Sequence, residues 1–395
     1  MTYVSGLAAI VLVVALLGVG FVVGHYVDKP VTPASASPYT RTNLPGSGYG
    51  GSSNSQYPGF TFPNYTSPAT TPTASEKRAA KVAKEVDPGL VDINTGISYQ
   101  QASAAGTGMV LSSGGLVLTN NHVIEGATSI SVTDIATGKT YDARVLGYDV
   151  AQDIAVLQMQ NVSGLATVRI GNSRALKVSD QIVGIGNAGG SGGTPSYAAG
   201  TVVAKNQSIT ADSEENPSGS EKLYGLIETD ADIQPGDSGG PLVTLDGKVV
   251  GMDTAASADQ SGYEFAPGGA IQSYSIPINA AITIAKDIKK GIATDSIHIG
   301  PTGILGIEVN PSSASTTATP GVTVATVMAN TPAASSGLVA GDVITSFDGH
   351  TVSTAAQLSA LEFPLKPGDS ATITYLDSEG TSESASFDLT TGPAQ

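Results

Sequence analysis

The chain has 395 residues, more than one ordinary hydrophobic core takes up, so we expect two folded domains with appended segments. Its formal net charge of −16 argues against nucleic-acid binding, because that function needs a basic surface. The chain has no cysteine, which excludes disulfide scaffolds, thiol catalysis and cysteine-based zinc sites, and its low charged fraction of 13% with many Gly and β-branched residues favours β-rich structure.

The N-terminal part predicts a membrane anchor and a linker. The segment "VSGLAAIVLVVALLGVGFVV" carries no charge and is long enough, at 1.5 Å per residue, to cross a bilayer core of about 30 Å, so residues 4–26 are predicted to form a transmembrane helix. The alternative is a cleaved signal peptide, whose apolar region is usually about 7–15 residues long. Residues 27–74 are rich in Pro, Ser, Thr and Gly, which predicts a disordered linker. We expect the rest of the chain on the extracytoplasmic side of a cell membrane.

A short helix and then a long series of strands follow the linker. The segment "SEKRAAKVAKEVDPG" predicts a helix with Ser75 as its N-cap and a stop at Pro88 and Gly89. From Leu90 to about Pro277, short β-branched runs such as "TGMVLS", "DIAVLQM" and "PLVTLDGKVVGMDTA" alternate with turns. Short strands spaced by turns, without helices between them, predict an all-β barrel or sandwich.

The stretch "QPGDSGGPLV" places Ser238 at a tight, glycine-flanked bend. A neutral serine hydroxyl is a poor nucleophile unless a histidine takes its proton and a carboxylate orients that histidine. Of the four histidines, His122 in "LTNNHVIEGA" alone lies within the strand-rich region. Asp153 opens the strand "DIAVLQM" and is the expected orienting group, with Asp149 as a competitor. The order His122, Asp153, Ser238 is that of chymotrypsin-like β-barrel proteases.

The glycines around the serine also fit this chemistry. Hydrolysis of an amide generates an oxyanion, and each backbone N–H aimed at it lowers the barrier by roughly 3 kcal/mol. Gly236 and Ser238 lie two residues apart, so both amides can turn toward one point, and a residue without a Cβ bends in this way at little cost. We therefore expect the oxyanion hole at Gly236 and Ser238.

Three blocks of this region, "TNNHVIEGA", "DVAQDIAVLQM" and "TDADIQPGDSGGPLVTLDGKVVGMDT", resemble the signature blocks of the HtrA (Deg) family of serine proteases. The resemblance extends over residues 88–298 and implies a mainly β fold, a chymotrypsin-like double β-barrel, for a protease domain at residues 75–298. After a short connection, "GPTGILGIEVN" and the segments that follow resemble the α/β PDZ domain that follows the protease in that family, here at residues 300–392.

The segments of the PDZ region agree with this resemblance. "SGLVAGDVITSFDG" predicts a tight turn, a buried strand and a hairpin, and "STAAQLSALEF" has a helical period. A PDZ domain adds a peptide strand to an open sheet edge and holds the terminal carboxylate with backbone amides. By resemblance the carboxylate-binding loop is Ile304, Leu305, Gly306 and Ile307, and ordinary strand core is the alternative for the three apolar residues.

The chain departs from the family at two aspartates. HtrA proteases usually have Asn before the nucleophile, whereas this chain has Asp237, for which we expect a Lys, Arg or backbone partner. Asp232 lies six residues before Ser238, where trypsin-like enzymes that cut after basic residues carry an aspartate, while HtrA proteases mostly cut after small aliphatic residues. The substrate pocket is expected at Asp232, Ser273 and Tyr274, and the sequence leaves both preferences open.

The resemblance implies a membrane-tethered, ATP-independent serine endopeptidase that cleaves misfolded or specific exported proteins. It also implies a homotrimer and recognition of C-terminal peptides by the PDZ domain. The alternative is a peptide-binding chaperone or scaffold with little or no proteolytic activity. No P-loop or Rossmann pattern follows a suitable strand, and the chain has few histidines and no cysteine, so we expect neither a cofactor nor a metal. The acidic net charge leads us to expect no nucleic acid as a partner.

Overall fold

The computed structural model describes residues 73–97, 102–187, 190, 192–212, 220–256, 272–309 and 320–394. The helices are α1 Ala74–Val86, α2 Ile278–Lys290, α3 Pro332–Ser335 and α4 Ala355–Glu362. The strands are β1 Leu90–Ile97, β2 Ala102–Val110, β3 Leu116–Thr119, β4 Ser129–Asp134, β5 Thr140–Asp149, β6 Ile154–Met159, β7 Arg169–Ile170, β8 Gln181–Gly186, β9 Ser196–Asp212, β10 Ser220–Thr229, β11 Pro241–Thr244, β12 Lys248–Ala256, β13 Ser273–Pro277, β14 Ile297–Ile299, β15 Thr302–Ile304, β16 Ile307–Val309, β17 Val322–Val327, β18 Val343–Phe347, β19 His350–Thr351, β20 Ser370–Leu376, β21 Ser382–Asp388 and β22 Thr390–Gly392.

The N-cap of helix α1 lies two residues before the predicted one. Thr73 is the N-cap: its hydroxyl accepts a hydrogen bond from the Glu76 N–H at 3.2 Å, and the Glu76 carboxylate accepts one from the Thr73 N–H at 2.6 Å. The prediction of Ser75 as the cap was wrong, because the reciprocal Thr73–Glu76 pair satisfies two N–H groups at the helix start and places Ser75 inside the helix. The helix buries one face, formed by Ala79, Val82, Ala83 and Val86.

The first barrel is a seven-stranded sheet in the order β14-β5-β4-β1-β2-β3-β6. It closes because β5 also pairs with β6. Alternate residues of its strands point inward. The interior cluster includes Val91, Ile93, Val117, Val132 and Leu157.

The second barrel follows the same plan, in the order β11-β8-β9-β10-β13-β12-β7, and closes through the pairing of β11 with β12. Helix α2 packs on strands of both barrels, and α1 packs on β8 and β9 of the second barrel. One cluster of buried side chains joins the two helices to both barrels, and it includes Val82, Ala281, Leu118, Val156, Val183 and Met252. The predicted mainly β, double-barrel architecture is confirmed, and the two barrels share one apolar seam.

A smaller α/β unit follows the barrels. Its sheet has the order β16-β17-β18-β20-β21, with β19 paired to β18, while β15 and β22 form a separate pair. Leu358 of α4 packs with Ile344, Phe347 and Ile373 in the core of this unit. In the described residues β16 pairs on one side only, with β17, so it is an edge strand of this sheet.

The predicted transmembrane helix at residues 4–26, and nearly all of the predicted linker at residues 27–74, lie outside the described residues. Across the ranges that the structure does describe, every helix is too short or too polar to span a bilayer.

Candidate active site

The carboxylate of Asp153 holds His122. Its Oδ2 lies 2.9 Å and its Oδ1 3.0 Å from His122 Nδ1, and Oδ1 also accepts a hydrogen bond from the His122 backbone N–H at 3.0 Å. The Thr254 hydroxyl donates to Oδ2 at 2.7 Å. Asp153 is 4% exposed, so these contacts replace water around a buried carboxylate. The arrangement fixes the orientation of the imidazole ring.

Local structure explains why His122 lies at this place. The N–H groups of Ile124 and Glu125 both donate to the Asn121 carbonyl, which makes a single helical turn directly after β3. Val123 and Ile124 are buried in the first barrel and anchor the turn. His122 itself is partly exposed, as a residue that exchanges protons with a substrate must be.

Asp149, the competing carboxylate, has a different role. It ends β5, and its Oδ1 accepts a hydrogen bond from the Gln152 N–H at 3.2 Å, as turn residues commonly do. Burial raises the pKa of Asp149 above its usual 3.8, and hydrogen bonds from neighbouring groups offset part of that rise. The structure therefore places Asp153, and not Asp149, against His122.

Ser238 comes from the second barrel and contacts the middle of β2, in the first barrel. Its carbonyl oxygen accepts a hydrogen bond from the Thr107 N–H at 2.9 Å. A Cβ on Gly106 would lie 2.7 Å from the side chain of Val123 and 3.3 Å from the Ser238 carbonyl oxygen. Val123, which follows His122 in the chain, and Ser238 therefore both pack against Gly106 of β2. Ser238 thus lies against the same part of β2 on which the turn that carries His122 packs.

The loop around Ser238 uses most of its backbone amides internally. The N–H groups of Asp237, Gly239 and Gly240 each donate to a backbone carbonyl at 2.8–2.9 Å. Gly236 and Gly239 have φ values of +95° and +83°, which only glycine adopts readily. Within the described ranges, the N–H groups of Gly236 and Ser238 donate to no protein acceptor. These are the two amides predicted to receive the oxyanion.

Asp237 is 1% exposed and accepts a hydrogen bond from a backbone group. The Gln234 N–H, three residues earlier in the chain, donates to its Oδ2 at 2.9 Å. Gly186 of β8 lies directly beneath it, since a Cβ on Gly186 would be 2.5 Å from the Asp237 Cα. A backbone partner was one of the three that the sequence led us to expect.

The three predicted pocket residues do not share one face. Asp232 is partly exposed, and its carboxylate accepts a hydrogen bond from the Gln234 side chain at 3.1 Å. The Ser273 hydroxyl is fully buried and donates to the Ala231 carbonyl at 2.8 Å, so it supports the chain beside Asp232. Tyr274, the next residue of β13, points to the opposite face of the sheet. Burial and the nearby Glu228 charge raise its pKa.

The predicted carboxylate-binding loop connects β15 to β16. Ile304 ends β15, Leu305 is 1% exposed in the core of the small unit, and Ile307 begins the edge strand β16. Gly306 has a φ of +85°, and a Cβ there would lie 2.2 Å from the Thr331 side chain. Glycine is therefore needed at this position for packing against Thr331 as well as for the backbone bend.

The sequence did not point to Thr254 or Glu362. Thr254 contacts Asp153 from a position 101 residues away, and no spacing in the sequence marks it. Glu362, the last residue of α4, accepts a hydrogen bond from the Leu305 N–H, and burial raises its pKa to about 7. In the described part of the chain, no three His, Asp or Glu side chains lie together as a metal site would require.

A glycine-flanked serine and an aspartate-bound histidine, contributed by two β-barrels, define a trypsin-like peptidase domain, and the small unit with an open edge strand has PDZ architecture. Family models agree: residues 106–252 match the trypsin-like peptidase domain and residues 303–386 match the PDZ domain. The chain belongs to the HtrA family of serine proteases.

The relatives that support this assignment are bacterial. The periplasmic serine endoprotease DegP of Escherichia coli strain K12 is 35% identical over 289 residues, which are 72% of this chain and 56% of the relative. DegP of Salmonella typhimurium is 36% identical over 271 residues, or 67% of this chain and 52% of the relative. The chain thus spans about half the length of these relatives. Among solved structures, HtrA-type protease AlgW with a decapeptide is 25% identical, covers 80% of this chain and 99% of its own, and has a TM-score of 0.44.

Proposed function

We propose that this protein is an ATP-independent serine endopeptidase. The observation that carries the proposal is the contact of His122 Nδ1 with the buried Asp153 carboxylate, at 2.9 Å, beside the Ser238 loop of the other barrel. A histidine and an aspartate held in this way next to a glycine-flanked serine are the groups that activate a serine hydroxyl as a nucleophile.

In the proposed mechanism, Ser238 Oγ attacks the carbonyl carbon of the scissile peptide bond while His122 Nε2 takes the hydroxyl proton. The carbonyl oxygen becomes an oxyanion and is received by the N–H groups of Gly236 and Ser238. His122 then gives the proton to the leaving amine, and water repeats the sequence to release the acyl group. Asp153 holds the Nδ1 proton and stabilises the imidazolium.

The proposed substrates are misfolded or specific exported proteins. The relatives are named periplasmic endoproteases, which supports a site of action outside the cytoplasm, and the apolar segment at residues 4–26 supports a single-pass membrane anchor for the protease and PDZ domains. The open edge of β16 supports binding of C-terminal peptides by strand addition, with the loop at residues 304–307 receiving the terminal carboxylate. A homotrimer is proposed from the family alone.

Cleavage preference remains a choice between small aliphatic and basic residues. Asp232 is partly exposed, which supports a basic preference, but its carboxylate already accepts a hydrogen bond from Gln234, which weakens that preference. Mass spectrometry of a digested unfolded protein distinguishes the two cleavage preferences. Lys or Arg before the cleaved bond would assign Asp232 to the substrate pocket, and Val or Ala there would show that Asp232 does not bind the substrate side chain.

The test of the activity is labelling by a fluorophosphonate and digestion of unfolded casein by the full chain in detergent. Ser238→Ala should abolish labelling and lower the cleavage rate at least ~10⁴-fold, because the nucleophile is lost while the fold is kept. Ser129→Ala, an exposed serine of β4, is the matched control and should behave as the parent. Peptide binding without labelling under any condition would instead support a chaperone or scaffold.

A further inference from the structure

A second buried acid, Asp253 of β12, lies directly behind the Ser238 loop. Its carbonyl accepts a hydrogen bond from the Gly239 N–H, and its own N–H donates to the Gly240 carbonyl, both at 2.8 Å. The next residue, Thr254, holds the Asp153 carboxylate. The backbone at Asp253 therefore connects the nucleophile loop to the acid of the triad.

The side chain of Asp253 is enclosed. It is 0% exposed, and its Oδ1 accepts a hydrogen bond from the Ser275 hydroxyl at 2.7 Å. Its Oδ2 has no hydrogen-bond partner within the described ranges. A Cβ on Gly184 of β8 would lie 3.1 Å from this oxygen, so β8 closes the compartment from below.

Asp237 occupies the same compartment. A Cβ on Gly186 would lie 2.8 Å from Asp237 Oδ1, just as one on Gly184 would lie close to Asp253 Oδ2. Gly184 and Gly186 are two residues apart on β8, so they face the same side about 7 Å from each other. The two carboxyl groups therefore lie over neighbouring glycines of β8, where the Ile233 side chain also packs on Gly184, close to the loop that carries the nucleophile.

The surroundings oppose two charges in this compartment. Burial raises the pKa of Asp253 well above its usual 3.8, the Asp237 charge raises it further, and the Ser275 hydroxyl lowers it in part. Asp237 is the charged group that acts on it among the described residues. Ser275 of β13 and the glycines of β8 are uncharged. Tyr274 of β13 and Glu228, its partner on β10, point to the opposite face of the sheet. Asp153 contacts Thr254, whose side chain points away from that of Asp253.

We propose that Asp253 is a positioning residue for the serine nucleophile, and that the Ser238 loop keeps its reactive shape only while the Asp237–Asp253 pair holds a proton. The inference rests on the proposed peptidase activity. With the proton in place, one carboxylate accepts the hydrogen bond from the Gln234 N–H and the other carboxyl is neutral. Loss of the proton puts a second negative charge into an enclosed space, and the loop that carries Ser238 is the part that can move to relieve the repulsion.

The sign of the pH dependence follows from linkage. Because the folded-state pKa of Asp253 lies above its unfolded value, the group's contribution to stability is complete below about pH 3.8 and is lost as the pH rises toward the raised pKa. The proposed loss of activity therefore accompanies a rise in pH, and the proton on the pair is what keeps the loop in its active shape.

The test compares casein cleavage by the full chain and its Asp253→Asn variant between pH 6 and pH 10. The parent should lose at least about tenfold in kcat on the alkaline side with little change in KM, since ionisation is a tenfold change per pH unit. The Asp253→Asn side chain keeps nearly the same shape but cannot titrate, so the kcat of this variant should show no alkaline loss. Asp134→Asn, an equally buried aspartate of β4 in the other barrel, is the control and should follow the parent.

Ser275→Ala serves if the asparagine variant does not fold. Losing the hydroxyl that stabilises the charged form raises the pKa of Asp253, so the alkaline loss should move to higher pH. Identical pH profiles for the parent, Asp253→Asn and Ser275→Ala would overturn the proposal while leaving the peptidase intact. No activity in the parent at any pH would instead remove the proposed function on which it rests.

Discussion

At the scale of single residues, the proposed triad depends on groups that do no chemistry. Asp153 has a φ of +51°, in the left-handed region that costs most residues other than glycine of order 1–3 kcal/mol, although Asp tolerates it better than most. This backbone conformation lets one carboxylate accept hydrogen bonds from both the ring and the backbone N–H of His122. The Thr254 hydroxyl completes its set of partners.

Thr254→Val should lower kcat by about 10–100-fold. The change keeps the shape of the side chain but removes a donor at 2.7 Å from a buried carboxylate, and a hydrogen bond to a charged group contributes about 1.5–3 kcal/mol. Steady-state cleavage of casein measures the effect, and Thr254→Ser should restore most of the rate. A valine variant with the parent's kcat would show that Asp153 needs no third partner.

Much of the candidate site at this scale was predictable, because its chemistry restricts residue types. Few residues act as a base toward serine, and His122 was the one histidine within the strand-rich region. Thr254 and Asp253 were not predictable, since a threonine and an aspartate in a strand fit many roles. Their roles appear only when β12 is seen to pair with β11 and β13 behind the nucleophile loop.

At the scale of elements, helix α1 depends on its first turn. The helix packs Ala79, Val82 and Val86 into the seam between the barrels, and a reciprocal Thr73–Glu76 cap satisfies its start. The position of this cap differs by two residues from the predicted one, because both Thr73 and Ser75 are good caps by residue type and only Thr73 has a glutamate three residues later.

Thr73→Ala should lower the free energy of unfolding by about 1 kcal/mol, the usual contribution of an N-cap. Ser75→Ala is the matched control, and it should leave stability unchanged or slightly raised because alanine is the better helix former. Thermal unfolding followed by circular dichroism measures both variants. A larger loss for Ser75→Ala than for Thr73→Ala would contradict the assigned cap.

Strand β1 carries a group that should make stability depend on pH. Asp92 is 3% exposed, and its Oδ2 accepts a hydrogen bond from the Gly193 N–H at 3.2 Å. Burial raises its pKa to about 6 from 3.8, so its contribution is complete below about pH 3.8 and is lost as the pH rises through about 6. The parent should lose stability from this group across that window.

Asp92→Asn removes this dependence. The difference in unfolding free energy between parent and variant should change between pH 4 and pH 6 and then level off, in denaturant titrations at a series of pH values. Asp142→Asn, an exposed aspartate of β5, should show no such step. An equal step in both variants would mean that Asp92 titrates as it does in the unfolded chain.

The strands were predicted better than the connections between them. Alternating β-branched runs mark β3, β6 and β12 because their side chains meet opposite environments on the two faces. Helix α2 was not among the predicted elements, although Ile278, Ala281, Ala285 and Ile288 repeat at helical spacing. The pairing of β14 with β5 could not be predicted from the sequence, because a three-residue strand carries too little pattern to identify its partner strand.

At the scale of the whole molecule, the peptidase and PDZ units are in contact close to His122. Tyr148 stacks on His298 with ring centroids 5.2 Å apart, and His298 Nδ1 lies 2.7 Å from the Phe363 carbonyl of the PDZ unit. Farther along, Ala394 packs into the first barrel, and its carbonyl accepts a hydrogen bond from the Gly126 N–H at 2.9 Å. That amide belongs to the segment that begins with His122.

This contact connects the PDZ unit to the segment that carries His122, in the candidate active site. Strand β22, which leads into Ala394, pairs with β15, the strand directly before the loop at residues 304–307. A shift of that loop on peptide binding would move β15 and β22, and with them the residue that packs beside the histidine turn. We state this route as a hypothesis, which hydrogen exchange in residues 123–127 tests.

Ala394→Asp should loosen the histidine segment. A charge placed in the apolar cluster around Ile124 is costly to bury, so the contact should open, and the amides of residues 123–127 should exchange with deuterium at least about tenfold faster. Thr390→Asp, at an exposed position of β22, is the control. If exchange in residues 123–127 is unchanged while the PDZ unit stays folded, Ala394 does not support the segment, and any coupling must pass through the Tyr148–His298–Phe363 contact.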